Sequence, residues 1–286
     1  MDDWNEKIQC SGRIIMGKCG SLKTIIRYLS IYYIIVRNCF LNELEYRTNF
    51  IMQIFASLAS LLSHFVYVIV VYKSGANIAG LTPDHVLLFM GTYFILTAVY
   101  AFFFVNNFVA FQHHVRQGTL DMYITKPVSL QFILSVRLIN VMGISDFIVG
   151  VIVVCFAWNR LGIQVDAVNL FGYAGYIICG VILTYALFML PQVLAFWITN
   201  TGNLYNIGAQ LWDANIMPMV IYNRAIRTIG TFVIPVFVIS NFAPLYLLDK
   251  LNFYELLWGI CVPFLFLGLV RYLFVQGLKS YTSASQ

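Results

Sequence analysis

Charge is what this sequence has least of. Only 10% of its 286 residues are Asp, Glu, Lys or Arg, against 60% hydrophobic and 16% aromatic, where soluble domains carry about 25% charge. Together with a mean hydropathy of +0.81, this excludes a soluble globular domain and predicts an all-α, multi-pass membrane protein. Cysteine lacks any metal-site or disulfide pattern: Cys10, Cys19, Cys39, Cys155, Cys179 and Cys261 show no C-x-x-C spacing. No basic patch with interleaved polar residues accompanies the net charge of +5, so nucleic acid is not an expected partner. A phosphate-binding G-x-x-x-x-G-K-[ST] loop is missing, GKCGS at 17–21 having the wrong spacing and following no strand, and H-E-x-x-H is missing too. No Ser, His and Asp constellation can be assembled without assuming contacts. The chain is expected to be no enzyme and to hold no metal or cofactor of its own. Its first residues begin acidic and contain no apolar run of signal-peptide length, so none is expected to be removed.

What is abundant is long apolar sequence. Six segments are long enough to cross the hydrocarbon as helices, at residues 49–72, 85–111, 141–158, 170–198, 226–248 and 254–276. Pro191 in the fourth and Pro235 and Pro244 in the fifth are expected to kink or interrupt their spans. If the chain starts in the cytosol, all but three of its 17 Lys and Arg fall on the inner side, leaving Lys73, Arg160 and Lys250 outside. That asymmetry predicts cytosolic termini in a plasma membrane. Trp158, Trp197 and Trp258 fall at expected span ends, where aromatic side chains collect.

Residues 22–48 read differently. Leu22, Ile25, Ile26, Leu29, Tyr33, Val36, Phe40 and Leu44 recur at three- and four-residue steps, while Lys23, Arg27, Ser30, Arg37, Asn38 and Glu45 take the other face. Ile31 and Ile34 interrupt the polar stripe. Crossing would drag Arg27 and Arg37 through lipid at ~2.5–3.5 kcal/mol each, so this is expected to be an amphipathic helix lying in the inner interface among membrane lipids. The expected organisation is a cytosolic tail at 1–21, the interfacial helix at 22–48, a six-span domain at 49–278 and a cytosolic tail at 279–286.

Polar residues inside the spans are few, and each is a candidate because its burial in lipid is costly. Asp146 is the clearest, read first as a carboxylate satisfied by a neighbouring helix or lying near a water-filled inner cavity and second as a substrate contact. His64 reads as a packing residue with a hydrogen-bond partner. Asn106, Asn107, Gln192 and Asn241 line a pathway or, more ordinarily, bond helix to helix.

The most polar run between the tails is QHHVRQGTLDMYITKP, residues 112–127, within an expected cytosolic link at 112–137. Adjacent His113 and His114 make a poor metal pair. Gly118 permits a sharp turn, Leu120, Met122, Tyr123 and Ile124 offer apolar knobs, and Arg116, Asp121 and Lys126 frame them. Pro127 suits the first turn of a following helix. Such a loop is read as a docking element, against the plainer alternative of a solvated link that only fixes topology.

At these residues the sequence resembles the permease subunits of bacterial ABC exporters of the type-2 class. RQGTLDMYITKPVSLQF is similar to the Gly, Leu and Pro pattern of that class's loop between spans two and three. PMVIYNRAIRTIGTFVIPVFVISNFAPLYLL, residues 218–248, is similar to a bacterial subfamily in which a Tyr and an Arg enter the fifth span and two prolines punctuate it. The resemblance implies ATP-driven alternating access by two permeases, identical or related, and two ATPase subunits that bind ATP and Mg. It implies that the 112–137 loop transmits closure of the ATPases and that the interfacial helix braces it. The alternatives are an ion- or proton-coupled secondary transporter or channel using Asp146 and His64, which lacks visible repeats, and a membrane enzyme, which lacks a catalytic constellation.

Overall fold

The computed structural model describes residues 22–45, 47–74, 80–126, 128–140, 143–198, 208 and 210–281. Helix α1 spans Leu22–Glu45 and α2 Arg47–Ser74. Helix α3 runs over Pro83–Arg116, interrupted by a π-helical turn at Ala101–Val105. Two short helices follow, α4 (Asp121–Ile124) and α5 (Leu130–Val136). Then come α6 (Gly143–Arg160), α7 (Ala167–Val193), α8 (Arg224–Val233, π-helical from Ile229), α9 (Val236–Leu247) and α10 (Phe253–Ser280). Among the described residues α3, α6, α7 and α10 are long and apolar enough to cross a membrane, and the bent pair α8–α9 adds a fifth if it counts as one span. Helix α2, at the place of the first expected span, is 28 residues long and shows most of its described large apolar side chains to the outside, Phe55, Leu62 and Val70 among them.

Three helices begin at the end of the bundle that carries Arg160, and each has its first turn closed by a side chain. Thr82 N–H donates to His85 Nδ1 at 3.2 Å ahead of α3, Asp166 accepts from Asn169 N–H at 3.3 Å on α7, and Asn252 N–H donates to Glu255 Oε2 at 2.9 Å on α10. Such bonds satisfy groups that a helix start leaves open. Arg160 Nε lies 3.8 Å from Asp84 at the same end, and Trp158 Nε1 donates to Ile163 O at 3.1 Å.

The centre is built on close helix approach. Helices α3 and α6 meet through glycine: a Cβ on Gly91 would lie 2.9 Å from Val154 N, and one on Gly150 would lie 2.8 Å from Ile95 N. A Cβ on Gly180 of α7 would lie 2.6 Å from Ile239 O of α9. In lipid, where apolar burial does not drive helices together, this closeness supplies the dispersion that does. Thr92 and Tyr173 add a hydroxyl pair at 2.7 Å between α3 and α7. An aromatic cluster of Tyr100, Phe188 and Trp212 fills the middle, with Trp212 stacked on Tyr100 at 4.7 Å and donating to Thr97 Oγ1 at 3.2 Å.

The fifth expected span is corrected. Residues 226–248 form no single helix; α8 and α9 meet at 100° across Ile234 and Pro235. Ile234 is pushed out of helical geometry (φ −116°, ψ 86°), as the proline ring demands of the residue before it. Pro244 was expected to act likewise but lies inside α9 without a break, where α9 is buried almost throughout and packing holds the helix. Pro191 also stays helical, and α7 only tightens into a 3₁₀ turn at Leu194–Phe196. Arg224 and Arg227, counted above among inner-side cations, lie on α8, which is tied to Trp258 near the Arg160 end: Trp258 Nε1 donates to Thr231 O at 2.9 Å.

Because the Gly150 contact is with backbone, Gly150→Ala should force α3 and α6 apart and cost about 1–3 kcal/mol. Gly175 has open space around its Cβ position, so Gly175→Ala should leave stability unchanged. Thermal unfolding of the two variants in detergent checks the contrast.

Candidate functional site

The 112–137 segment is less a loop than a folded elbow at the opposite end of the bundle. Helix α3 carries on through its first residues and stops at Gly118, whose φ of +67° is the left-handed conformation glycine adopts without strain. Gly118 N–H donates to Val115 O and Thr119 N–H to His114 O, the paired bonds of a glycine-terminated helix end. Leu120 is fully buried and Tyr123 is 5% exposed. Reading these two as outward docking knobs is therefore corrected: once Gly118 reverses the chain, both turn into the core. Met122, 59% exposed, is the apolar side chain that faces out, beside exposed Arg116 and Lys126. Asp121 is half-buried, and Pro127 lies outside the described residues.

Tyr123 is the pivot of the elbow. Arg137 Nη1 donates to its hydroxyl, and the Arg137 guanidinium and Lys126 Nζ each lie 5.1 Å from its ring centroid. The His114 ring packs on it at 4.9 Å, with His114 Nδ1 2.8 Å from Thr119 Oγ1. Cations over a tyrosine face are attracted by its ring electrons, so the positive charge of the elbow is fixed in place. Tyr281, just past α10, packs beneath. Burial first and the negative Asp121 second push its phenol above the ordinary range, and it stays neutral near neutral pH.

Helix α5 is wedged into the bundle. Leu130, Ile133, Leu134 and Ser135 are buried. Gln131 Nε2 donates to Tyr185 OH of α7 at 2.9 Å, and Arg271 Nη1 of α10 donates to Gln131 Oε1 at 2.8 Å. Ser135 Oγ lies 3.0 Å from the same Tyr185 hydroxyl. On the outer side α1 leans on α5: Tyr28 packs edge-on against Phe132 at 4.9 Å and accepts from Ser129 N–H at 3.2 Å, while Cys39 Sγ donates to Arg137 O at 3.3 Å. The elbow thus touches α1, α3, α7 and α10 together. The expected apolar face of α1 is not what makes this contact: Ile26, Leu29, Tyr33 and Phe40 are exposed. Arg37 is exposed too, and the side chains of Lys23 and Arg27 lie outside the described residues.

The polar candidates inside the spans separate by role. Asn107 is buried; its Nδ2 donates to Phe103 O and Leu138 O at 2.7 Å, and its Oδ1 accepts from Leu138 N–H at 2.8 Å. Its neighbour Asn106 is exposed. Gln192 accepts from Gln112 Nε2 at 2.5 Å, joining α7 to α3. Asn241 Oδ1 accepts from Met219 N–H at 2.7 Å, and Ser240 Oγ donates to Asn215 Oδ1 at 2.9 Å, which fastens the chain before α8 to α9. His64 of α2 and Asp146 of α6 come together, Nδ1 lying 3.6 Å from the carboxylate Oδ1, with the His64 ring on Phe94 at 4.0 Å. Among the described residues no three His, Cys, Asp or Glu side chains cluster as a metal site requires. Sequence reading passed over Tyr28, Gln131, Ser135, Arg137, Tyr185 and Arg271. Gln131 and Ser135, polar at a four-residue spacing within an apolar helix, were the signal available.

Residues 58–285 match a family model described as ABC-2 family transporter protein, a stretch from the middle of α2 through the elbow to α10. No curated protein and no solved structure matches the chain.

Asn107 hydrogen-bonds both the N–H and the C=O of Leu138, so Asn107→Ala should leave two part-buried backbone groups without that partner and cost about 1–3 kcal/mol. Asn106→Ala should change stability by less than about 0.5 kcal/mol. Denaturant unfolding of the two variants in micelles measures both.

Proposed function

Since the chain belongs to the ABC-2 family of transporter proteins and is a membrane-embedded permease, we propose that it forms half of an ATP-driven exporter. A second permease, identical or related, completes the pathway, and a separate ATPase subunit binds ATP and Mg and supplies the power stroke. In this reading the chain crosses a bacterial plasma membrane six times, with α2 as the first span, both termini in the cytosol and α1 in the inner interface among lipids.

One observation carries the proposal: the elbow at 112–137 carries exposed cations on its outside and is hydrogen-bonded on its inside to two helices long and apolar enough to span. Met122, Arg116 and Lys126 offer an exposed apolar residue ringed by charge, the arrangement in which buried anchors supply affinity and rim charges steer. A push on Met122 passes through Tyr123 and Arg137 to α5, and from Gln131 to Tyr185 and Arg271. The ATPase docks there, and its closure on nucleotide moves α7 and α10 through α5. The exposed apolar sides of α2 and α10, such as Leu62, Phe264 and Tyr272, meet lipid or the second permease.

Purification from native membranes in mild detergent should recover an ATPase subunit with the permease. Met122→Asp should reduce the retained ATPase several-fold without lowering permease abundance. Leu120→Ala should instead lower permease stability by about 2–5 kcal/mol, the cost of truncating a buried side chain. ATPase retention undiminished by Met122→Asp together with Lys126→Glu would reject the elbow as the docking element.

A further inference from the structure

His114 lies in the last turn of α3, beyond the second expected span at 85–111, and both of its ring nitrogens are engaged. Nδ1 lies 2.8 Å from Thr119 Oγ1, while Nε2 lies 3.4 Å from Arg137 Nη1 and 3.4 Å from the Tyr123 hydroxyl. A guanidinium has N–H groups and no lone pair to offer, so the nitrogen that faces Arg137 is the one without a proton. The neutral ring is thereby set as one tautomer, with Nδ1–H donating to Thr119 Oγ1 and Nε2 accepting from Arg137. Arg137 also donates to the Tyr123 hydroxyl, whose own proton can turn to the same Nε2. Two donors therefore converge on a single lone pair.

The charged and titratable groups around this ring are positive. His113 of α3 lies with its ring centroid 6.4 Å away, Lys126 stands over the Tyr123 face just past α4, and Arg137 closes the end of α5. Asp121, the acid of the elbow, acts on Tyr281. Asn107, Ala110, Phe111, Leu134 and Leu138 line the rest of the small space shared by His114 and Arg137, and none of them titrates. Burial first, then Arg137 and His113, hold the His114 imidazole below its ordinary range. A proton on Nε2 would replace the acceptor by an N–H aimed at an arginine N–H, with two cations 3.4 Å apart.

We propose that His114 is a proton-operated latch on the elbow: neutral, it holds Arg137 against Tyr123, and protonated, it expels Arg137 and loosens the end of α5. The inference rests on the docking reading above and adds regulation to it, since Arg137 stands between Tyr123 and α5 on the route from the ATPase to the spans. Because the closed elbow disfavours the proton, the open elbow takes it up first. The latch is whole above about pH 6.5, the ordinary histidine value, and is lost as the pH falls from there through the depressed one.

The test follows hydrogen–deuterium exchange of residues 119–138 in the full-length permease alone, in dodecyl maltoside, corrected for the intrinsic pH dependence of exchange. Exchange reports local opening, and about pH 7.5 and about pH 5.5 bracket the histidine range. In the wild type the segment should exchange several-fold faster at the lower pH. His114→Gln offers Arg137 an amide oxygen that does not titrate, and should exchange alike at both. Arg137→Gln leaves nothing to expel, and should exchange at the higher pH as fast as the wild type does at the lower. His113→Gln, at the exposed neighbour, should respond as wild type. Wild-type exchange that ignores pH, or an equal rise in His114→Gln, overturns the latch. In a second arm, the ATPase retained by the wild type should fall several-fold and reversibly on acidification, and His114→Gln should retain it equally at both pH values. Retention that falls equally in both proteins, or in neither, overturns the regulation. A complex that forms at neither pH rejects the docking reading and leaves the exchange result intact.

Discussion

The constraint on which the rest of this structure depends is that backbone polar groups within hydrocarbon must find partners inside the protein. An unbroken helix meets it automatically, so the informative places are those where the helices are irregular. At the π-helical turn of α3, Phe102 O accepts from Asn140 N–H and Asn107 bonds both groups of Leu138. At the chain entering α8, Asn241 accepts from Met219 N–H. Beside the Pro235 break, Trp258 donates to Thr231 O. At each of these three places an amide or indole side chain, Asn107, Asn241 or Trp258, bonds the irregular backbone.

That pattern also sets how much could be read from sequence. The long helices were legible because their signal is local: length and hydropathy define a span, and α6, α7 and α10 fall within a few residues of expectation. The elbow was legible as a polar segment with a turn at Gly118, since glycine's left-handed freedom is a property of the residue itself. Burial was not. Whether Leu120 and Tyr123 point out or in depends on how α5 packs against α7 and α10, a contact between residues more than a hundred positions apart in the case of Gln131 and Arg271.

The prolines make the same point. Pro191, Pro235 and Pro244 look alike in sequence, each within an apolar run. Only Pro235 breaks its helix, because the segment before it is exposed and free to turn away, whereas Pro244 lies in a helix enclosed by its neighbours. Local chemistry nominates the break, and packing decides it. His64 and Asp146 were each nominated separately, and their meeting at 3.6 Å could be found only with α2 and α6 side by side.

The glycine contacts between α3 and α6 limit how this molecule can change shape. Where backbones approach until a single methyl group would collide, two helices cannot slide or roll against each other, and they travel as one plank. The four long helices therefore amount to fewer independent bodies than their number suggests. Relative motion is left to the seams with looser fit: the side of α2, whose described side chains in contact with the bundle include His64 and Val68, and the corner at Pro235, where the chain already turns.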